Sequence, residues 1–138
     1  MTAPTTTPLL DCFIPGVPVP KGSMRHVGKG RMIHDNPDLA RWMRTILLVA
    51  GRLHRGKDPI DAPVAVDVTF WMPPPKRPRW RVPATKPDGD KLARALGDGL
   101  ERAGVLANDS RITDWHVRKR YADKTHPAGA RVTVELVA

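Results

Sequence analysis

Between Ala62 and Met72 the chain alternates without a break, with Val64, Val66, Val68, Phe70 and Met72 on one side and Ala65, Asp67, Thr69 and Trp71 on the other. A period of two over this length is a strand with one face in a core. The chain must therefore hold a sheet, and something apolar must cover it. The next residues, Pro73-Pro74-Pro75-Lys76-Arg77-Pro78-Arg79-Trp80-Arg81, end regular structure, because proline cannot donate to a ladder. That stretch is a solvated loop or a basic, aromatic arm suited to DNA.

Two amphipathic segments supply the cover. Leu39, Trp42, Met43, Ile46, Leu47, Ala50 and Leu53 recur at helical spacing behind Asn36-Pro37, which reads as an N-cap and a first helical residue. The spacing predicts a helix from about Pro37 to about Leu53, ending near Gly56. Arg41, Arg44, Arg52 and Arg55 dot its outer side, as a solvated face or a DNA-facing stripe. Leu92, Ala95, Leu96, Leu100 and Ala103 form a second stripe, predicting a helix from near Asp88 to about Ala103, closed by Gly104.

Shorter signals flank these elements. Leu9 to Val19 reads as a strand running into Pro15, Gly16, Pro18 and Pro20. Lys21 to Arg31 is a basic, glycine-punctuated loop or hairpin. Near the end, Trp115, Val117, Lys119 and Tyr121 alternate with His116, Arg118 and Arg120, giving one strongly basic face. Val132, Val134 and Leu136 mark a last strand, with Gly129 in the turn before it. The order predicts an α/β (α+β) fold, two main helices on a small mixed sheet. The 138 residues fit one domain over 9–138, with the Thr- and Pro-rich residues 1–8 as a flexible end.

Charge narrows the function. Lys and Arg number 23 against 14 Asp and Glu, a formal net charge of +9. Such a surface attracts polyanions, nucleic acid above all, although basic residues also serve plain solubility. Cys12 is the lone cysteine, which excludes an intrachain disulfide and a cysteine zinc cluster and fits a reducing cytoplasm. No signal-peptide pattern opens the chain, and no apolar run approaches the roughly 20 residues of a membrane span. The five histidines show no metal-ligand spacing.

In so basic a chain the acids stand out. Asp88 and Asp90 bracket Gly89 where extended chain gives way to helix, and Asp109 follows the helix in Leu106-Ala107-Asn108-Asp109-Ser110. Asp109 returns to the same place if the chain reverses after Gly104. Gathered carboxylates suit Mg²⁺, a hard cation that keeps several waters, and a metal there activates water and neutralises phosphodiester charge. The plain alternatives are an N-cap at Asp88 or Asp90 and a turn at Asp109-Ser110.

The run Lys86-Pro87-Asp88-Gly89-Asp90-Lys91-Leu92-Ala93-Arg94-Ala95-Leu96-Gly97-Asp98-Gly99-Leu100 resembles the signature of the RusA family of Holliday junction resolvases, roughly K-P-D-x-D-N-L-x-K-x-x-x-D-A-L. Asn108-Asp109-Ser110-Arg111-Ile112 stands where that family carries D-D-x-Q-[VI]. Pro18-Val19-Pro20-Lys21-Gly22-Ser23-Met24-Arg25 is similar to the opening of phage-type members. The resemblance runs from about Phe13 to about Leu136.

It implies a homodimeric nuclease in the cytoplasm of a bacterial or phage-infected cell. Such an enzyme nicks four-way DNA junctions symmetrically in recombination and repair, using Mg²⁺, with Mn²⁺ able to substitute. It carries the family's essential acids onto Asp88, Asp90 and Asp109, its helix acid onto Asp98 as an assisting ligand, and its functional lysine onto Arg94. Lys21, Arg25, Lys29, Arg31, Lys91, Arg118 and Arg120 are the candidate DNA contacts. Three residues depart from the pattern: Lys91 replaces Asn, Arg94 replaces Lys, and Asn108 replaces the first acid of the pair. Arg94 keeps its charge but cannot readily release a proton. The alternatives are a branched-DNA-binding protein with little or no nuclease activity, and a nuclease for flaps or forks.

Overall fold

The computed structural model describes residues 7–22, 25–26, 32–33 and 37–137. Residues 1–6, most of the expected flexible end, lie outside these, as do Lys29, Arg31 and the expected N-cap Asn36.

Strands β1 (Leu10–Pro15), β4 (Val64–Met72), β5 (Ile112–Tyr121) and β6 (Gly129–Leu136) form one sheet in the order β1-β6-β4-β5. The β1/β6 and β6/β4 pairs are antiparallel, and β4/β5 is parallel. The sheet is therefore mixed, as the element order predicts. Strands β2 (Arg25–His26) and β3 (Met32–Ile33) pair as a minimal hairpin in the basic, glycine-punctuated segment.

Helix α1 (Pro37–Leu53) packs on β1 and on helix α2 (Gly89–Arg102), which packs on β5. The alternation of β4 is realised in full: Val64, Val66, Val68, Phe70 and Met72 are buried, and the residues between them are half-buried on the opposite face. They meet Trp42, Met43, Ile46 and Ala50 of α1 and Leu92, Ala95, Leu96 and Leu100 of α2 in one core. Past α1, Gly56 turns at φ +79°, and the buried His54 donates from Nε2 to the Asp58 carbonyl at 2.8 Å. Cys12, in β1, is buried in the core, and burial pushes its thiol up to about 11.

The helices touch where a side chain is missing. A Cβ on Gly99 would lie 2.7 Å from Ile46 Cγ2, so α1 and α2 approach across a glycine.

One expectation needs correction. Gly129 is not part of the last turn; it is the first residue of β6, paired with Pro15 on one side and Trp71 on the other. The strands before and after that turn, β5 and β6, have β4 between them in the sheet. The cause at Gly129 is steric: φ is +157°, and a Cβ would press into the Phe13 ring and the Ile14 carbonyl oxygen. Backbone cannot step aside as a side-chain tip can. Gly129→Ala is expected to cost about 3 kcal/mol. Gly22→Ala, where a Cβ meets nothing within 4 Å, should stay within about 0.5 kcal/mol. Urea unfolding of the two variants measures the contrast.

Candidate active site

The extended segment after β4 reaches α2 at Asp88, whose backbone occupies the N-cap position at φ −70° and ψ 142°. Its carboxylate makes no capping hydrogen bond, so the plain reading of that acid as a cap does not account for its side chain. Asp90 stands in the first helical turn, where the positive end of the helix dipole favours a carboxylate. The Lys86–Pro87 peptide just before them is cis.

Asp109 does return to α2. Gly104 turns the chain at φ +81°, and Val105 and Leu106 sink into the core. Ala107 N–H then donates to the Ile60 carbonyl, and a single 3₁₀ turn, Asp109–Arg111, follows. Asn108 Oδ1 accepts from Ser110 N–H at 2.8 Å, and Asp109 N–H donates to Glu101 Oε1 at 2.8 Å. Asn108 therefore spends its side-chain oxygen on shaping the turn that presents Asp109.

Asp90, Arg94 and Asp109 line one open cleft of about 600 Å³ between α2 and β5. Its floor includes Ala93, Gly97, Trp115 and Val117. The glycines bring helix and strand together: a Cβ on Gly97 would stand 3.4 Å from the Trp115 ring, and one on Gly89 3.5 Å from Val117. Asp88 is not in this cleft. With Lys91 it lines an adjoining one of about 790 Å³, walled by Val17 to Pro20 and Met72 to Pro75. Lys119 borders both.

Among the described residues, the carboxylates of Asp88, Asp90 and Asp109 have no hydrogen-bond or ion-pair partner. Other acids of the chain are neutralised: Asp11 by Arg131, Asp61 by Arg111, Asp67 by Arg118. No three His, Cys, Asp or Glu of the described residues are grouped closely enough to hold a metal ion. What the fold brings together is the pair Asp90 and Asp109. Two hard, uncompensated carboxylates in an open cleft fit Mg²⁺, which binds through one or two carboxylates and keeps its waters.

Asp98 stands elsewhere. Lys21 Nζ lies 3.4 Å and Arg102 Nη2 3.2 Å from its Oδ2, and it borders neither cleft. Lys21 is tied to α2 a second time, by its N–H to the Lys91 carbonyl.

The basic face of β5 is partly spent. Arg118 donates to both Asp67 oxygens, at 2.8 and 3.3 Å, and this contact holds the Asp67 carboxyl below its usual range. Arg120 is exposed, and among the described residues its Nη1 donates only to the neighbouring Lys119 carbonyl. For Arg25 only the backbone is described, and Lys29 and Arg31 lie outside the described residues. The arm expected after β4 is irregular and exposed, with the Arg79 guanidinium 4.8 Å from the Trp80 ring centre.

Sequence reasoning missed Lys119. Its signal was a single cation in the otherwise apolar set Trp115, Val117, Lys119, Tyr121.

Two comparisons bear on this site. A family profile described as "Endodeoxyribonuclease RusA" matches residues 15–136. The "Crossover junction endodeoxyribonuclease RusA" of Aquifex aeolicus (strain VF5) is 27% identical over 111 residues, which are 80% of this chain and 80% of that protein.

Proposed function

The chain belongs to the RusA family of endodeoxyribonucleases, and we propose that it resolves four-way DNA junctions by paired nicks, with Asp90 and Asp109 holding Mg²⁺ and Asp88 completing the site. One observation carries the reading: Asp90, Asp109 and Arg94 share a cleft, and both carboxylates lack a partner among the described residues. On a surface meant for DNA, uncompensated acids repel the phosphate backbone unless a cation joins them.

The bound cation supplies charge neutralisation at the scissile phosphodiester and an acidified water; Mn²⁺ serves in its place. The protein's residues do the rest. Asp90, on the first turn of α2, and Asp109, held by the Glu101 contact to its N–H, fix the donor oxygens. Arg94, one helical turn beyond Asp90, meets the negative charge that builds on the phosphate. The products are nicks with 5′-phosphate and 3′-hydroxyl ends.

Lys21, Arg25, Lys29, Arg31, Lys91, Arg118 and Arg120 provide the phosphate contacts that hold the junction arms. Arg120 contributes a full charge, whereas Arg118 shares its charge with Asp67 and Lys21 shares its own with Asp98. Asp98 acts here by holding Lys21 rather than as a ligand. Symmetric cutting needs two equivalent sites, hence a two-fold homodimer. No helix among the described residues is long and apolar enough to cross a membrane, and the protein works in the cytoplasm of a bacterial or phage-infected cell.

The test is an immobile four-way junction labelled on each strand in turn, incubated with protein and Mg²⁺, beside an EDTA control. Matched flap and fork substrates run alongside. Paired nicks on opposite strands of the junction, lost in EDTA, are expected. Tight junction binding with no cut in either Mg²⁺ or Mn²⁺ would replace this reading with a binding protein, and faster cutting of flaps or forks would replace the substrate.

A further inference from the structure

We propose that Lys119 is a positioning residue that holds the segment carrying Asp88 against the sheet and so sets the distance between Asp88 and the Asp90–Asp109 pair. The proposal rests on the metal-site reading above.

The side of β5 that faces α2 carries Trp115 and Val117 under Gly97 and Gly89, and Lys119 follows them in the same alternation. A half-buried ammonium on such a face needs acceptors. Lys119 Nζ finds two, donating to the carbonyls of Thr85 and Pro87 at 2.8 Å each. These belong to the residues immediately before Asp88. Among the described residues, no other hydrogen bond joins residues 73–88 to the sheet; the further backbone bond within that stretch, Ala84 N–H to the Val82 carbonyl, is internal. The stretch is otherwise largely exposed, with six prolines to deny it regular pairing. Two of the three ammonium donors are thus committed to fixing the approach to α2.

The location matters as much as the bonds. Lys119 forms the wall shared by the cleft of Asp88 and the cleft of Asp90, Arg94 and Asp109. Removing the tie frees the Thr85–Asp88 backbone, and Asp88 then drifts relative to the other two acids.

A positioning role and a purely electrostatic one predict opposite signs. A cation beside a metal site weakens metal binding, so deleting it should tighten binding. Deleting a group that orients the ligands should weaken it. The measurement is Mn²⁺ affinity of the full chain without DNA, by electron paramagnetic resonance, for wild type, Lys119→Met and Lys119→Arg, with thermal unfolding as a check on folding. We expect about tenfold weaker Mn²⁺ binding for Lys119→Met, as for other groups that orient metal ligands. Lys119→Arg, which can reach both carbonyls, should recover to within about threefold. Should the methionine variant not fold, Lys119→Gln keeps a donor and is expected to show a smaller loss of the same sign. Unchanged or tighter binding in a folded variant overturns the positioning role while the metal site stands. Wild type that binds no Mn²⁺ overturns the metal site, and this proposal with it.

Discussion

Asp90→Asn is expected to yield a folded protein that binds four-way junctions and cuts them at least about a thousandfold more slowly than wild type. The substitution keeps the shape of the side chain and removes its charge. Asp90 is exposed in the first turn of α2 and, among the described residues, has no partner to lose. The fold forgoes only its interaction with the helix dipole, about 0.3–1 kcal/mol. Junction affinity should hold or rise, since a negative charge leaves a DNA-facing surface. Single-turnover cleavage in Mg²⁺, gel shift in Ca²⁺ and a thermal melt read the three consequences separately. Asp109→Asn should behave alike. Asp98→Asn is the contrast: with its carboxylate engaged by Lys21 and Arg102 outside both clefts, it should slow cleavage by less than about tenfold. A thousandfold loss there would place Asp98 among the ligands after all.

What the sequence made legible follows from how local each signal is. The alternation of Val64 to Met72 and the periodic stripe behind Pro37 are written in consecutive residues, and β4 and α1 form within two residues of the expected bounds. Strand β5 begins at Ile112, earlier than the Trp115 start of the visible alternation; Thr113 and Asp114, exposed on an edge strand, conceal it. Strand order is non-local, and nothing in the residues between β5 and β6 announces that β4 lies between them. Gly129 reads as a turn glycine because its need for a missing Cβ comes from Phe13 and Ile14, more than a hundred residues away.

The site divides the same way. Asp88, Asp90 and Asp109 are legible as residue types in a motif, and the return of Asp109 hangs on Gly104, which the sequence displays. That Asp88 opens onto the neighbouring cleft is not legible, since it depends on how residues 73–87 lie against β5. Neither is the commitment of Arg118 to Asp67, an ion pair set by the register of the parallel β4/β5 ladder. Asn108 could be read as a substitute ligand; the fold uses its oxygen to accept from Ser110 N–H.

Arg94 carries the second large effect. Arg94→Ala should lower the single-turnover rate about 10²- to 10³-fold, the usual loss when a donor aimed at developing charge is removed. The chain carries arginine where its family pattern has lysine, and the two side chains differ most in acidity. Lysine has an ordinary pKa of about 10.4, and arginine stays charged at any pH an enzyme meets. If the position supplies charge, Arg94→Lys should remain within about tenfold of wild type, with the same rate–pH curve below about pH 9.5. If the position must release a proton, the lysine variant should be the faster enzyme, and its rate should fall as the ammonium titrates. We expect the first outcome. Arg94 lies exposed in the cleft of Asp90 and Asp109, where its charge faces whatever occupies that space. Guanidinium ion added to Arg94→Ala should then restore part of the rate, which a missing proton donor at this position would not allow.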